Sequence, residues 1–210
     1  MLLHKDCVFY KYSGSPNWGE MESNNRDDFY TMVCDLYEEG ILRADINWTD
    51  PIKVRDKIIT SQRKTISFYI FEENNTLCLF GGSESQIAYA ISKIVSFFTI
   101  RIKKINIFHS FKEYLNESKE FNGFQLTSVD IAKLQTGYDD STYSNIPVKD
   151  MPVRVLTNHL NHSDIVSLVL YTKMEQIYFV LDLNSVVSFF DTDGDNCIFE
   201  TCKRIVANVI

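Results

Sequence analysis

Residues 189–200, FFDTDGDNCIFE, place Asp191, Asp193 and Asp195 at alternate positions, the spacing at which an EF-hand loop offers its first three oxygen ligands to calcium. Asn196 suits the sharp turn at position 6, but position 12, which calls for a bidentate acid, is Cys202, and Glu200 falls at position 10. The apolar helical pattern begins by Ile198, too early for such a loop to close. The expectation is therefore a strand-to-helix corner and no metal, with carboxylates placed where the free amides of a helix start favour them. Residues 159–164, HLNHSD, set His159 and His162 three apart beside Asp164, but no second ligand group matches them, and the reading is a surface turn between strands. GGSES, residues 81–85, could offer backbone amides to an anion, yet lacks the lysine and spacing of a P-loop and reads as a plain strand-to-helix turn. No GxSxG or HExxH motif occurs. No catalytic residue and no cofactor is predicted, although an enzyme with a site dispersed along the chain stays an alternative. The five cysteines, Cys7, Cys34, Cys78, Cys197 and Cys202, are odd in number, lack CxxC spacing and read as reduced thiols.

Charge narrows the partners. The 210 residues carry a formal net charge of -7, and the first fifty hold ten acids against four bases. Such a balance repels a polyanion at long range and steers a cation in. Two basic strips run against it: Lys53, Arg55, Lys57, Arg63 and Lys64, then Arg101, Lys103 and Lys104. These eight are the candidate contacts for the alternative reading, a nucleic-acid-associated module of a bacterial defence system. The most apolar run, 94–107, is broken by Arg101, Lys103 and Lys104, so no membrane span and no membrane partner is expected. The start, MLLHKDCVFYKY, lacks the pattern of a secretory signal, and the expected location is cytoplasmic.

The elements that must position these groups are legible in the periodicity. Residues 66–71 and 76–80 are rich in aromatic and branched side chains and are separated by Glu72, Glu73, Asn74 and Asn75, which predicts a hairpin. After Gly81 and Gly82, Ile87, Ile91, Ile94, Val95 and Phe98 lie at spacings of three and four, which predicts a helix. Strands are expected at 7–13, 41–48, 101–108 and 153–160, helices at 26–39 and 111–118, an extended segment at 121–134 and a surface loop at 135–152.

The hairpin and helix have a second copy at an offset of 110: Phe68 falls on Tyr178, Ile70 on Val180, Glu72 on Asp182, Leu77 on Val187 and Phe80 on Phe190. One inserted residue later, Ile87, Ile91, Ile94, Val95 and Phe98 fall on Ile198, Cys202, Ile205, Val206 and Val209. Ile58 and Ile59 fall on Leu168 and Val169, which predicts a third strand before each hairpin. The fold expected is α+β: a mainly antiparallel sheet with helices packed on one face and two quasi-repeated meander-plus-helix units, 1–110 and 111–210, with one continuous domain as the alternative. The topology resembles the half-repeat of the TATA-binding-protein-like fold over about 45 residues in each half. The resemblance carries no motif and implies no DNA-binding residue. The functional expectation is a non-catalytic binding protein that acts on another protein, neutralising a basic one as immunity proteins and antitoxins do, or serving as a complex subunit.

Overall fold

A strand with one wet face must alternate, as residues 178–182 of this α+β protein do, whereas 66–71 and 76–80 are buried on both faces. The computed structural model describes residues 2–21, 30–54, 57–116, 118–132, 143–161 and 165–210. It divides into two units, 1–104 and 105–210.

Unit 1 contains β1 (Asp6–Ser13), a short 3-10 turn (Trp18–Met21), β2 (Tyr30–Glu38), β3 (Ile41–Val54), β4 (Lys57–Phe71), β5 (Thr76–Phe80), α1 (Glu84–Phe98) and β6 (Arg101–Lys104). The strands lie in the order β2-β3-β4-β5-β1, with β6 also on β1, and every pair is antiparallel. Ala44, Ile46 and Trp48 of β3 face Phe68, Ile66 and Lys64 of β4. The apolar members of this row are buried. Trp48 stacks on Tyr89 of α1 at 4.6 Å, and Ile87, Ala90 and Ile94 are the buried residues of that helix. Ser83 caps α1 by accepting the Gln86 N–H at 3.4 Å. Gly81 is required by packing, since a Cβ there would sit 2.8 Å from Ile87 Cγ1, and one on Gly82 would sit 2.7 Å from His4 Cε1. GGSES is thus a corner closed tightly by side chains.

Unit 2 contains α2 (Ile107–Leu115), β7 (Glu120–Phe121), β8 (Phe124–Ala132), β9 (Tyr143–Pro147), α3 (Val153–Asn161), β10 (Ile165–Thr172), β11 (Tyr178–Asp182), β12 (Val186–Phe189) and α4 (Asp195–Val209). The order is β12-β11-β10-β8, with β7 and β9 both on β8. Phe111 of α2 meets Phe124 of β8 at 5.3 Å and Phe179 of β11 at 6.3 Å, and the last two meet each other at 5.9 Å. Each of the three rings is fully buried. In both units a four-strand antiparallel meander runs into a 15-residue helix: β2-β3-β4-β5-α1, and β8-β10-β11-β12-α4 with β9 and α3 intervening. The hairpins differ in connection: Phe71 pairs with Thr76 across four residues, whereas Leu181 pairs with Val187.

Several expectations are corrected. Residues 30–38 form β2, not a helix, and 26–29 lie outside the described residues. Tyr, Thr and Val favour a strand, and Gly40, at φ 71, closes a tight turn into β3. Residues 153–161 are helical, not extended: Pro152 sits at the start, where its carbonyl accepts the Val155 N–H at 2.9 Å, and Leu156 and Leu160 are buried one turn apart. Strand β6 stops at Lys104 because Asn106 caps α2 by accepting the His109 N–H at 3.1 Å. Ile58 and Ile59 belong to β4 itself, so the strand before the first hairpin is β3. Within the expected loop at 135–152, residues 143–147 form β9, and 135–142 lie outside the described residues. No helix among the described residues is long and apolar enough to cross a membrane.

The aromatic trio makes a direct test possible. Truncating a fully buried phenylalanine removes its transfer energy and leaves a cavity, so Phe111→Ala is expected to cost about 3–5 kcal/mol in urea unfolding. Tyr114→Ala, in the same helix but 42 % exposed, is expected to cost under about 1.5 kcal/mol.

Candidate functional site: a polar row across the sheet of unit 2

Opposite partners in an antiparallel sheet point to the same face. Asn145 on β9 stands opposite Asp130 on β8, Asp130 opposite Ser167 on β10, and Ser167 opposite Asp182 on β11. Four polar residues therefore form one row across four strands. The core face carries Val129, Leu168 and Leu181 at the adjoining register positions, and each of these is buried.

The row is bonded along its length. Asp130 Oδ1 accepts the Asn145 Nδ2–H at 2.7 Å, and Asp130 Oδ2 accepts from the Ser167 hydroxyl. Asn145 Nδ2 also donates to Ser128 Oγ at 3.0 Å. Neutral donors hold the Asp130 carboxylate in place without cancelling its charge, and a carboxylate has lone pairs for about two further donors. Asp182 Oδ1 accepts the Val186 N–H at 2.8 Å, which fixes the β11–β12 turn. That turn is anchored from below: Ser185, 2 % exposed, accepts the Phe108 N–H at 3.2 Å and lies 3.1 Å from Asn106 Oδ1.

These residues line a pocket of about 450 Å³ with Tyr143, Val166, Leu183 and Asn184. Its rim is open, with Tyr143 60 % and Leu183 50 % exposed. Two carboxylates and several neutral polar groups line it, and no lining residue is basic. Such a lining can accept hydrogen bonds from a cation.

Two irregularities aim the row. Pairing of β8 with β10 shifts between Val169 and Leu170 and again between Ile165 and Ser167. The first leaves Thr127 as an extra residue, with its hydroxyl donating to the Val169 carbonyl at 2.9 Å. Because of it, buried apolar positions run Phe124, Leu126, then Val129, and the parity of β8 reverses so that Ser128 and Asp130 lie on the face of the polar row.

The residues singled out from sequence fall elsewhere. Asp193 closes the corner before α4 by accepting the Phe190 N–H at 3.0 Å. Since α4 begins at Asp195 and Cys202 is buried within it, position 12 of an EF-hand loop has no place. His159 lies in α3, while His162 and Asp164 lie outside the described residues. Of the basic strips, Lys53 and Lys57 lie on the paired ends of β3 and β4 and Arg55 lies outside the described residues. Arg63 and Lys64 occupy successive positions of β4 and so opposite faces. On β6, Arg101 and Lys103 share a face with Ser13 and Lys11, their partners on β1, while Lys104 stands opposite Tyr10 on the other face. Burial, with a further contribution from Glu84, raises the Tyr10 hydroxyl above its ordinary 10.0. The two strips are separated by β5 and β1, roughly three strand spacings or 14 Å, and do not merge. The polar row was missed because its members come from distant segments, although FQLTSVDI did show apolar positions breaking step after Leu126.

The reversed parity is testable by exchange of neighbours. Val129→Asp drives a carboxylate into the core and is expected to cost about 3–5 kcal/mol, whereas Asp130→Asn is expected to cost about 1 kcal/mol. Equal costs in chemical denaturation would contradict the register.

No protein-family model matches the sequence, and no curated protein matches it.

Proposed function

We propose that unit 2 captures a basic side chain of a protein partner in the pocket between Asp130 and Asp182, and that the chain is a non-catalytic binding protein. The single observation that carries this is the lining: two carboxylates, one of them held by Ser167 and Asn145, with no basic residue among the pocket's walls. A lysine or arginine arriving there gains charge-assisted hydrogen bonds. The net charge of -7 and the acidic first fifty residues support the reading, because they steer a cationic partner toward the molecule. Neutralisation of a basic protein, as immunity proteins and antitoxins perform it, and membership of a larger complex are the two biological settings it fits. Five cysteines, odd in number and without CxxC spacing, suit a reducing, cytoplasmic setting.

The probe is acetyl-arginine-amide. It is expected to bind with an affinity on the order of 1 mM, to shift the amide resonances of Asn145 and Ser167, and to lose affinity as salt rises. Asp130→Asn with Asp182→Asn is expected to abolish the shifts. Equal shifts in that variant, or none in the natural protein, would remove the reading.

A second reading rests on a different observation in unit 1. Lys11 stands directly opposite Lys103, with Arg101 on the same face, and none of the three has an ion-pair partner among the described residues. Like charges directly opposite each other repel, and a phosphate backbone laid over them would relieve that repulsion. This reading keeps Arg101 and Lys103 of the nucleic-acid-associated alternative and adds Lys11 in place of its other residues. It predicts a gel shift of single-stranded or duplex DNA or RNA at low salt that Lys11→Glu, Arg101→Glu and Lys103→Glu together eliminate; no shift at low salt would dispose of it.

A further inference from the structure

We infer that the partner's segment carries an apolar residue as well as a basic one, about 13 Å apart, and that it lies along β10 and β11 of unit 2. The inference rests on the pocket reading and names the ligand more closely. It starts from the residues next to the polar row on the same face. Beyond Ser167 and Asp182, the next same-face positions hold Val169 opposite Val180, then Tyr171 opposite Tyr178. The two tyrosine rings lie 4.8 Å apart and tilted by 43°, and Tyr178 is 45 % exposed.

The face therefore reads polar, aliphatic, aromatic over five residues of each strand, with Asp182 of β11 and the neighbouring Asp130 of β8 supplying the acids. Core-facing neighbours Leu168, Leu170, Phe179 and Leu181 are buried, so the apolar groups on the outer face are surplus to that core. Charge complementarity selects the occupant at one end, since the pocket favours a cation. At the other end, a paired aromatic platform favours an apolar side chain that can cover it. An extended polypeptide rises about 3.3 Å per residue, so a basic and an apolar residue four positions apart reach both ends together. Residues between them pass over Val169 and Val180, which calls for small or apolar ones.

The probes are acetyl-Arg-Gly-Gly-Gly-Leu-amide and its reverse order, each compared with the peptide in which serine replaces leucine, and with acetyl-Arg-Gly-Leu-amide. Calorimetry or resonance shifts are expected to show about tenfold tighter binding from leucine at the four-residue spacing in one of the two orders. The shorter peptide is expected to show no such gain. Tyr178→Ala should erase the gain while leaving acetyl-arginine-amide binding intact, and Tyr178→Phe should keep it. If the leucine and serine peptides bind equally in both orders, this inference is overturned and the pocket reading stands. If no arginine probe binds, the pocket reading itself fails.

Discussion

A single extra residue in β8, Thr127, sets which β8 side chains of unit 2 face the polar row. Strict alternation from Phe124 and Leu126 would turn Ser128 and Asp130 toward the core. The bulge reverses the parity, so that Val129 enters the core and Asp130 meets Ser167 and Asn145 instead. A carboxylate in the core without a partner would cost several kcal/mol, so the register and the polar row stand or fall together. The bulge is tied in from both neighbours: its hydroxyl bonds β10, and its carbonyl accepts the Val148 N–H at 2.9 Å.

The core face supplies the rigidity that the outer face uses. Phe111, Phe124 and Phe179 contact one another in edge-to-face geometry, which fixes α2 on β8 and β11. The buried Ser185 then joins the β11–β12 turn to the start of α2. Asp182, Leu183 and Asn184 are therefore held between a paired strand and a capped helix. A site whose groups are locked before the ligand arrives loses little entropy on binding, and a pocket built on four strands meets that condition better than one built on a loop.

Charge is distributed in a way that net charge conceals. The overall balance is acidic, and the pocket of unit 2 concentrates acid where hydrogen bonds hold it. In unit 1, Lys11, Arg101 and Lys103 are brought to one face by the β1–β6 pairing although Lys11 lies far from the other two in the chain. The sequence strip at 53–64 is dispersed by the same physics, because adjacent strand residues face opposite ways. Basic residues that are neighbours in sequence are thus parted, and distant ones are joined.

Periodicity alone determined much here: the hairpin at 66–80, the helices opened by GGSES and by the aspartate corner, and the α+β class all come from spacings of two, three and four. Where two periods fit the same residues, tertiary contact decided. Residues 30–38 became a strand because β3 offers a ladder to pair with, and 153–161 became a helix because Leu156 and Leu160 find a buried place on one face. The aspartates 191, 193 and 195 looked like ligands and mark a turn, since the helix after them starts too soon. The polar row could not be read from the chain at all. Its residues come from β8, β9, β10 and β11, and only backbone hydrogen bonding between strands, with one residue left over at Thr127, sets them side by side.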